Sequence, residues 1–442
     1  MAMHRQSGVT TQSEFRSSPS WVRAAALVIA LLAIPGSAAL ARQTTLLRPG
    51  SVLDVRTGRL TQGAQVLVRD GKIVEIGSRI TVPAGAEIID LPGHVLMPGL
   101  IDAHTHLLIQ PDYASNNPIL YKSIPYRTIE GVAAAKATLE AGFTAIRDVD
   151  SEGADWADVA LRDAIEDGLV PGPRMQVATR ALSITGGYMN QNGLAPQIDV
   201  PQYGALVDNA DDIVKEIRTE VKYGTDLIKL YATGTTRHID LRDMTPLPQF
   251  TTDEIALVMR EAARFKIPVA AHAYGGQGAY DAVVLGARSI DHGMLLDDRI
   301  LDEMVKRGTW WVPTISVYWE KGPRETWTER ARAIADAHQN TFGRALAKGV
   351  RIAFGTDAGA LPHGTQAVEF GVMVDYGMSP LQAVQSATLE AAEMMGYKDI
   401  LGSVEVGRLA DLIAVPASPL DNIRVLEDVR FVMKGGVVYK RP

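Results

Sequence analysis

The alternation of predicted helices and short apolar strands through the middle of the chain limits its fold more than any other feature. The helical stretches tend to end on glycine, which adopts the left-handed conformation that closes a helix, and an apolar strand then follows. Gly142 precedes a strand at 143–149, and Gly224 precedes a strand at 226–232. Strands that alternate with helices in this way form parallel sheets with helices packed on their faces.

Eight candidate strands occur in this region, which matches the eight β/α units of a (β/α)₈ barrel. They lie near 96–104, 143–149, 174–179, 226–232, 267–273, 287–292, 309–314 and 350–357. The predicted barrel spans 96–402. The active site of such a barrel lies at the carboxyl ends of its strands, so chemically reactive side chains are expected there.

The two flanks of this region are predicted to be β-structure. Asp70-Gly71 separates two alternating apolar runs, a pattern typical of a hairpin, and Gly435-Gly436 separates a similar pair near the carboxyl end. We therefore predict an α/β protein in which a barrel carries one small β-sandwich domain built from 42–95 and 403–442.

Residues 1–41 have the features of a secretory signal peptide. Arg16 and Arg23 precede the apolar run 24–34, and the small residues that follow end in an A-x-A pattern at Ala41. The run is shorter than the roughly 20 apolar residues that span a bilayer. We expect cleavage after Ala41, a periplasmic or secreted protein, and no stable membrane insertion afterwards; an uncleaved anchor is the alternative.

Composition restricts the chemistry further. The chain has 442 residues with 9 His and no Cys, so disulfides, thiolate nucleophiles and cysteine-ligated metals are excluded. Any metal must be held by His, Asp, Glu or a modified side chain. The formal net charge of -7, without a basic block, argues against nucleic acid as a partner.

A set of candidate metal ligands lies at the predicted strand ends. His104 and His106 end the first strand, and because side chains alternate between the faces of a strand, both imidazoles should point to one side. Such a pair alone is weak evidence, since two incidental histidines explain it equally well. Three further candidates end the fifth, sixth and eighth strands, namely His272, His292 and Asp357. Their joint placement favours a metal site over separate core residues.

Lys229 is unusual because it lies within the apolar strand 226–232. An unpaired ammonium inside a barrel is costly, so such a lysine deprotonates, pairs with an acid or is modified. One interpretation is a buried Lys–Asp ion pair. The other is a neutral amine that captures carbon dioxide as a carbamate, whose two oxygens could bridge two cations.

Taken in order, these residues resemble the amidohydrolase superfamily. The sequence is most similar to the imidazolonepropionase-related branch, which contains metal-dependent Xaa-Pro dipeptidases and ochratoxin-hydrolysing, carboxypeptidase-like enzymes. The matching stretches are 97–106, 142–144, Lys229 with Thr233-Gly234, 271–273, 290–293, 355–357 and 402–412. The resemblance covers about 50–440 of the chain.

The resemblance implies a binuclear hydrolase that forms a homo-oligomer such as an octamer. By position, His104, His106 and Asp357 would hold the more buried of two divalent cations, and His272 and His292 the more exposed one. Carboxylated Lys229 and a hydroxide would lie between the two. Zinc is the default cation for such a histidine-rich hydrolytic site, although manganese, iron or cobalt would also suit it.

The expected reaction follows from these ligands. Two cations lower the pKa of a shared water, and Asp357 is the best carrier for a proton that passes from this water to the leaving nitrogen. We expect hydrolysis of an amide bond in a small carboxylate-bearing molecule, which would be an N-acyl amino acid, a dipeptide or an ochratoxin-like amide. A lactonase or cyclic-amide hydrolase with the same metals is the alternative. A non-enzymatic metal-binding scaffold is disfavoured by the complete ligand set.

Strand parity also suggests substrate contacts. Tyr231 lies two residues after Lys229, and Tyr274 lies two after His272, so each phenol should share a face with its neighbour. Aromatic packing at the barrel rim is the alternative for both. Tyr188 stands where relatives commonly have His, which puts the contact inferred there in doubt.

Further substrate candidates come from the loops. His363 follows Asp357 closely and either lines the pocket or has a structural role, and Arg237 could bind a carboxylate. The long segments 180–204 and 316–330 are candidate lids, and a solvated, partner-facing loop is the favoured alternative for the second.

Overall fold

Three sheets organise the described part of the chain, in a computed structural model that describes residues 44–442 apart from 114–116, 192, 237, 238, 240 and 321. The predicted signal peptide 1–41 and the substrate candidate Arg237 lie outside the described residues. The strands are β1 Thr44–Asp54, β2 Arg59–Gln62, β3 Gln65–Arg69, β4 Lys72–Gly77, β5 Glu87–Pro98, β6 Leu100–Thr105, β7 Phe143–Asp148, β8 Arg174–Val177, β9 Leu182–Ser183, β10 Ala205–Leu206, β11 Ile228–Tyr231, β12 Val269–Gly275, β13 Ser289–Leu295, β14 Trp310–Val312, β15 Leu412–Val415, β16 Phe431–Lys434 and β17 Val437–Lys440.

Helices connect the strands of the central region. They are α1 Pro118–Tyr121, α2 Ile124–Glu140, α3 Ala157–Glu166, α4 Ala210–Tyr223, α5 Thr252–Arg264, α6 Gly276–Leu285, α7 Asp298–Arg307, α8 Glu329–Lys348, α9 Val368–Asp375, α10 Pro380–Gln385 and α11 Ala391–Met394. Short 3₁₀ turns lie at Ser316–Tyr318, Arg324–Thr326 and Ile423–Glu427, and a π-helical turn lies at Ser386–Glu390. In the described residues, no helix is long and apolar enough to cross a membrane.

Strands from both ends of the chain form one eight-stranded sheet, as predicted. Its order is β17-β16-β15-β5-β1-β3-β4, with β2 paired to β1. Alternate residues of β1 face opposite sides, so Leu47 packs in one core with Leu412 while Leu46 packs in another with Ile80. Strand β5 joins the two ends, because it pairs parallel with β1 and antiparallel with β15.

Parallel strands form the central region. Strands β6, β7 and β8 pair in parallel in one sheet, and β9, β11, β12, β13 and β14 pair in parallel in another. The eighth predicted strand, at 350–357, is not a regular strand. Isolated parallel bridges instead join Ile352 to Trp311 and Ala358 to Thr105, which places this run between β14 and β6.

A hydrogen bond links the two sheets of the central region where β8 lies beside the run that leads into β11. The Asp226 backbone N–H donates to the Val177 carbonyl at 2.8 Å, which links β8 to the run that leads into β11. The α/β barrel with an attached small β domain is therefore confirmed as the fold class.

Amphipathic spacing explains how the helices cover this ring. Ile255, Val258 and Ala262 recur at intervals of three and four along α5, and all three are buried. Gly224 closes α4 with φ of 98°, as predicted from its position before a strand.

The predicted first barrel strand at 96–104 is divided at Gly99. Strand β5 continues to Pro98, and β6 begins at Leu100. A Cβ atom on Gly99 would lie 2.1 Å from Oγ1 of the buried Thr144. Only glycine permits this close approach between the end of β5 and strand β7.

Replacement of Gly99 with alanine should lower the free energy of unfolding by about 1–3 kcal/mol, because the added methyl group overpacks a filled site. The matched control is Gly343→Ala in α8, where nothing lies within 4 Å of an added Cβ. This control should raise stability by about 0.5–1 kcal/mol. Urea denaturation checks both values, and equal stability of the two variants would contradict the packing argument.

Candidate metal centre

Four histidines and one aspartate converge where the barrel strands end. All four imidazoles, those of His104, His106, His272 and His292, are at least 95% buried, and they line one cavity together with Asp357. The parity argument thus holds for the first strand, since both of its imidazoles face the same space. The structure brings these five predicted ligands together.

Strand register places Asp357 beside the first histidine pair. The Asp357 backbone N–H donates to the His104 carbonyl at 2.8 Å, and the His106 N–H donates to the Ala358 carbonyl at 2.7 Å. Oδ1 of Asp357 then lies 3.6 Å from Nε2 of His104 and 3.2 Å from Nε2 of His106. One potential ligand atom from each of these three side chains lies within 4.8 Å of the others.

The backbone is strained at two of these positions. His292 has φ of 74° and Asp357 has φ of 64°, values in the left-handed region that side-chain-bearing residues seldom adopt. Strain of this kind is retained where the surrounding structure enforces it, and it clusters at functional sites. Both side chains point into the cavity despite this backbone strain.

The other two histidines complete the cluster. The ring centroids of His272 and His292 are 4.5 Å apart, and those of His104 and His292 are 4.8 Å apart. Nε2 of His272 is buried and has no hydrogen-bond partner in the described residues. Burial lowers the pKa of all three imidazoles, that of His104 to about 4, so they are neutral, which is the form that binds a metal.

Charge favours the ionised form of Asp357. Burial alone would raise its pKa, but the hydrogen bond and the charge of His106, whose own pKa is raised to about 10, hold the pKa of Asp357 well below its usual range. An ionised carboxylate beside these imidazoles is a donor set that suits a divalent cation.

Contacts on the far side of the rings orient three of the imidazoles. Each presents Nε2 to the cavity because its Nδ1 faces an oxygen atom, the arrangement usual for metal-binding histidines. The oxygens are Thr314 Oγ1 at 2.7 Å from His292, the Asp150 carbonyl at 3.2 Å from His106, and Asp291 Oδ2 at 3.1 Å from His104. The orphaned His272 nitrogen and these oriented rings fit a metal centre.

Lys229 lies at the base of the same cavity in an ion pair. Its Nζ is 2.8 Å from Oδ2 of Asp291. The other oxygen of this carboxylate, Oδ1, lies 3.1 Å from Nη2 of Arg147 and accepts from Ser289 Oγ at 2.8 Å. Burial lowers the pKa of Lys229, and Asp291 opposes this effect. The unmodified amine therefore has the acidic partner that the first sequence interpretation required.

The predicted tyrosines occupy different positions. Tyr188 and Tyr231 line the cavity, and their ring centroids each lie 5.0 Å from that of His272. The Tyr231 hydroxyl donates to Asp150 Oδ2 at 3.1 Å. Tyr274 does not line the cavity but packs behind His272 at 4.7 Å between ring centroids, as the packing alternative expected.

The substrate-binding candidates from the loops also lie at different positions relative to the cavity. His363 Nε2 donates to the Ile109 carbonyl at 3.0 Å and does not line the cavity. Within the candidate lids, segment 180–204 contributes Tyr188 to the lining of the cavity. Segment 316–330 places the Tyr318 ring 5.9 Å from that of His292, but Tyr318 does not line the cavity.

Sequence reasoning missed several residues of this site. Glu152, Tyr113, Ile109 and Ala360 also line the cavity. A signal for Glu152 was present, because the acidic run 148–152 begins at the last residue of β7, at the active end of the barrel.

Comparisons with known proteins agree with this geometry. Residues 95–439 match the model of the amidohydrolase family. An ochratoxinase from Aspergillus niger is 29% identical over 418 residues, which cover 87% of this chain and 84% of that protein.

Two solved structures share the fold. A Xaa-Pro dipeptidase with bound methionine in its active site has a TM-score of 0.80 and 34% identity over 90% of this chain and 100% of its own. A prolidase complexed with N-methylphosphonate-L-proline has a TM-score of 0.79 and 30% identity over the same shares. The resemblance inferred from the motifs is confirmed: the chain belongs to the amidohydrolase family.

Proposed function

We propose that the chain is an exported, binuclear metal-dependent hydrolase that cleaves the amide bond of a small substrate with a free carboxylate. The observation that carries the proposal is the cavity shared by four imidazoles, Asp357 and Lys229. The names of the relatives support the substrate class, because an amino acid and a prolyl phosphonate bind two of them, and the third is an ochratoxinase. Dipeptides, N-acyl amino acids and ochratoxin-like amides belong to this class.

Two divalent cations, zinc in our proposal, would use the cluster as their ligands. His104, His106 and Asp357 would bind one, His272 and His292 the other, and carboxylated Lys229 both. When bound, the cations supply a water of lowered pKa and polarise the substrate carbonyl.

The ion pair of Lys229 is compatible with carboxylation. The neutral amine adds to carbon dioxide and loses one proton, which leaves a carbamate whose nitrogen still carries one N–H. This N–H can donate to Asp291 Oδ2, which is 2.8 Å from Nζ. Arg147 remains 3.1 Å from Asp291, so that carboxylate keeps a cationic partner after the ammonium is lost.

Asp357 is the residue that we propose moves the proton. It accepts a proton as water adds to the scissile carbonyl, and it returns that proton to the nitrogen as the C–N bond breaks. A positioned acid–base group contributes about 10²–10⁴-fold to such a reaction. Tyr188 and Tyr231 line the cavity beside His272 and would contact the substrate. Because Asp150 already accepts from the Tyr231 hydroxyl, Tyr188 is the better candidate donor.

A substrate panel tests the proposed reaction. The metal-replete protein should cleave linear dipeptides and N-acyl amino acids faster than homoserine lactones or hydantoins. Amidation of the substrate carboxylate, as the control, should reduce kcat/KM. Absence of amide cleavage would overturn the proposal, and faster turnover of lactones or cyclic amides would replace it with the alternative reaction.

Location and assembly complete the proposal. We propose cleavage after Ala41 with export, and a homo-oligomer such as an octamer. Amino-terminal sequencing of the fractionated protein tests the first, and sedimentation analysis of the mature protein tests the second.

A further inference from the structure

Glu152, a buried carboxylate that is not among the proposed metal ligands, lies in the wall of the same cavity. Glu152 lines this cavity and is 5% exposed, and its Oε2 has no hydrogen-bond partner in the described residues. Its other oxygen, Oε1, lies 3.4 Å from Nδ1 of His106. A buried carboxylate oxygen without a donor is costly, so this position calls for a donor from outside the described chain.

The neighbouring buried guanidinium of Arg127 binds backbone carbonyls. Arg127 donates through Nε to the Leu108 carbonyl at 3.1 Å, and through Nη2 to the carbonyls of Ser151 at 3.3 Å and Glu152 at 2.6 Å. These bonds fix the backbone around Glu152 and leave its Oε2 without a partner.

The backbone of Glu152 is held in an unusual conformation. Its φ is 53°, in the left-handed region, and its N–H donates to Asp150 Oδ1 at 3.0 Å. This conformation is costly for a residue with a side chain, and such conformations cluster at functional sites. The carboxylate is therefore directed into the cavity by an enforced turn.

We infer that Glu152 binds the α-ammonium group of the substrate, so that the preferred substrates are free dipeptides and not N-acylated amino acids. The inference rests on the proposed amide hydrolysis. In a dipeptide, one Cα separates the ammonium from the scissile carbonyl, which places the two groups about 2.5 Å apart. The ammonium must consequently lie close to the ligand cluster, and Glu152 contacts that cluster through His106.

An ammonium group is a suitable partner for Oε2 of Glu152. An ammonium offers three N–H donors and a positive charge, and a hydrogen bond between charged groups stabilises more than one between neutral groups. An acylated nitrogen has one N–H, no charge, and a carbonyl oxygen that the carboxylate would repel. The wall of the cavity thus distinguishes the two substrate types.

The test compares Ala-Pro with N-acetyl-Ala-Pro in the metal-replete full-length enzyme. We expect the wild type to prefer the free dipeptide in kcat/KM by about 10- to 150-fold, the range for one hydrogen bond to a charged group. Glu152→Gln should lower kcat/KM for Ala-Pro by a similar factor and leave N-acetyl-Ala-Pro nearly unchanged. Glu166→Gln, an exposed change of the same kind, should leave both values unchanged.

The ratio of kcat/KM for the two substrates distinguishes a role of Glu152 in substrate recognition from a role in supporting the metal site. If Glu152→Gln instead weakened metal binding by disturbing His106, the activities toward both substrates would fall equally. An equal loss in Glu152→Gln would therefore overturn the inference. Equal or better cleavage of N-acetyl-Ala-Pro by the wild type would also overturn it. Cleavage of neither substrate, nor of any other amide in the panel, would instead overturn the proposed function on which it rests.

Discussion

Replacement of Asp357 with asparagine should lower kcat by about 10²–10⁴-fold, the range for loss of a positioned acid–base group. Asparagine keeps the shape of the side chain and tolerates the left-handed backbone at this position, where φ is 64°. It cannot accept the proton, and it lacks the charge that lies 3.2 Å from His106 Nε2. The chemical step should therefore fail while the fold is retained.

Steady-state kinetics and thermal unfolding check this expectation together. The exposed Asp399→Asn variant is the matched control and should retain wild-type kcat. If Asp357→Asn retained kcat within tenfold of the wild type, Asp357 would not be the proton carrier.

Replacement of Lys229 with alanine should reduce the bound metal below two per chain and lower kcat/KM by about 10²–10³-fold, as when one preorganised electrostatic group is removed. The variant loses the only nitrogen that could carry a bridging carbamate at this position. It should still fold, because Asp291 keeps Arg147 at 3.1 Å and Ser289 at 2.8 Å as partners.

Elemental analysis and kinetics measure this effect, with the surface variant Lys136→Ala as the control. ¹³C-bicarbonate supplied to the wild type should give a carbamate resonance in the NMR spectrum that the Lys229→Ala variant lacks. Full activity of Lys229→Ala with two bound metals would exclude the bridging carbamate and leave the ion pair with Asp291 as the role of this lysine.

The ligand cluster was predictable because its signals are local. His104 and His106 are two residues apart at the end of β6, and His272, His292 and Asp357 lie at or near the ends of predicted strands at the active face of a barrel. The acidic partner of Lys229 was not predictable from its own strand. Asp291 lies on β13, and only the register of β11, β12 and β13 brings it to 2.8 Å.

The tyrosines show where parity arguments fail. The same two-residue spacing predicted one environment for Tyr231 and Tyr274, yet only Tyr231 lines the cavity. The pairing of β12 with β13 shifts register between Ala273 and Gly275, so the regular alternation is interrupted at Tyr274. A strand pattern does not contain this information, because the irregularity depends on the neighbouring strand.

The predicted boundaries of two strands were wrong for a related reason. The run 96–104 is mostly apolar, but the chain changes from one sheet to another at Gly99, where the backbone approaches Thr144 closely. The predicted eighth strand at 350–357 is mostly apolar as well, but isolated bridges and single backbone hydrogen bonds join it to its neighbours, without a regular ladder. Apolar content predicts burial and gives no information on which sheet receives the residues.

The most direct test of a binuclear amide hydrolase is a titration of the metal-depleted protein with zinc, in which hydrolysis of a dipeptide is followed at each addition. We expect activity to rise until two equivalents per chain are bound and then to remain constant. Full activity at one equivalent, or amide hydrolysis that does not depend on added metal, would contradict it.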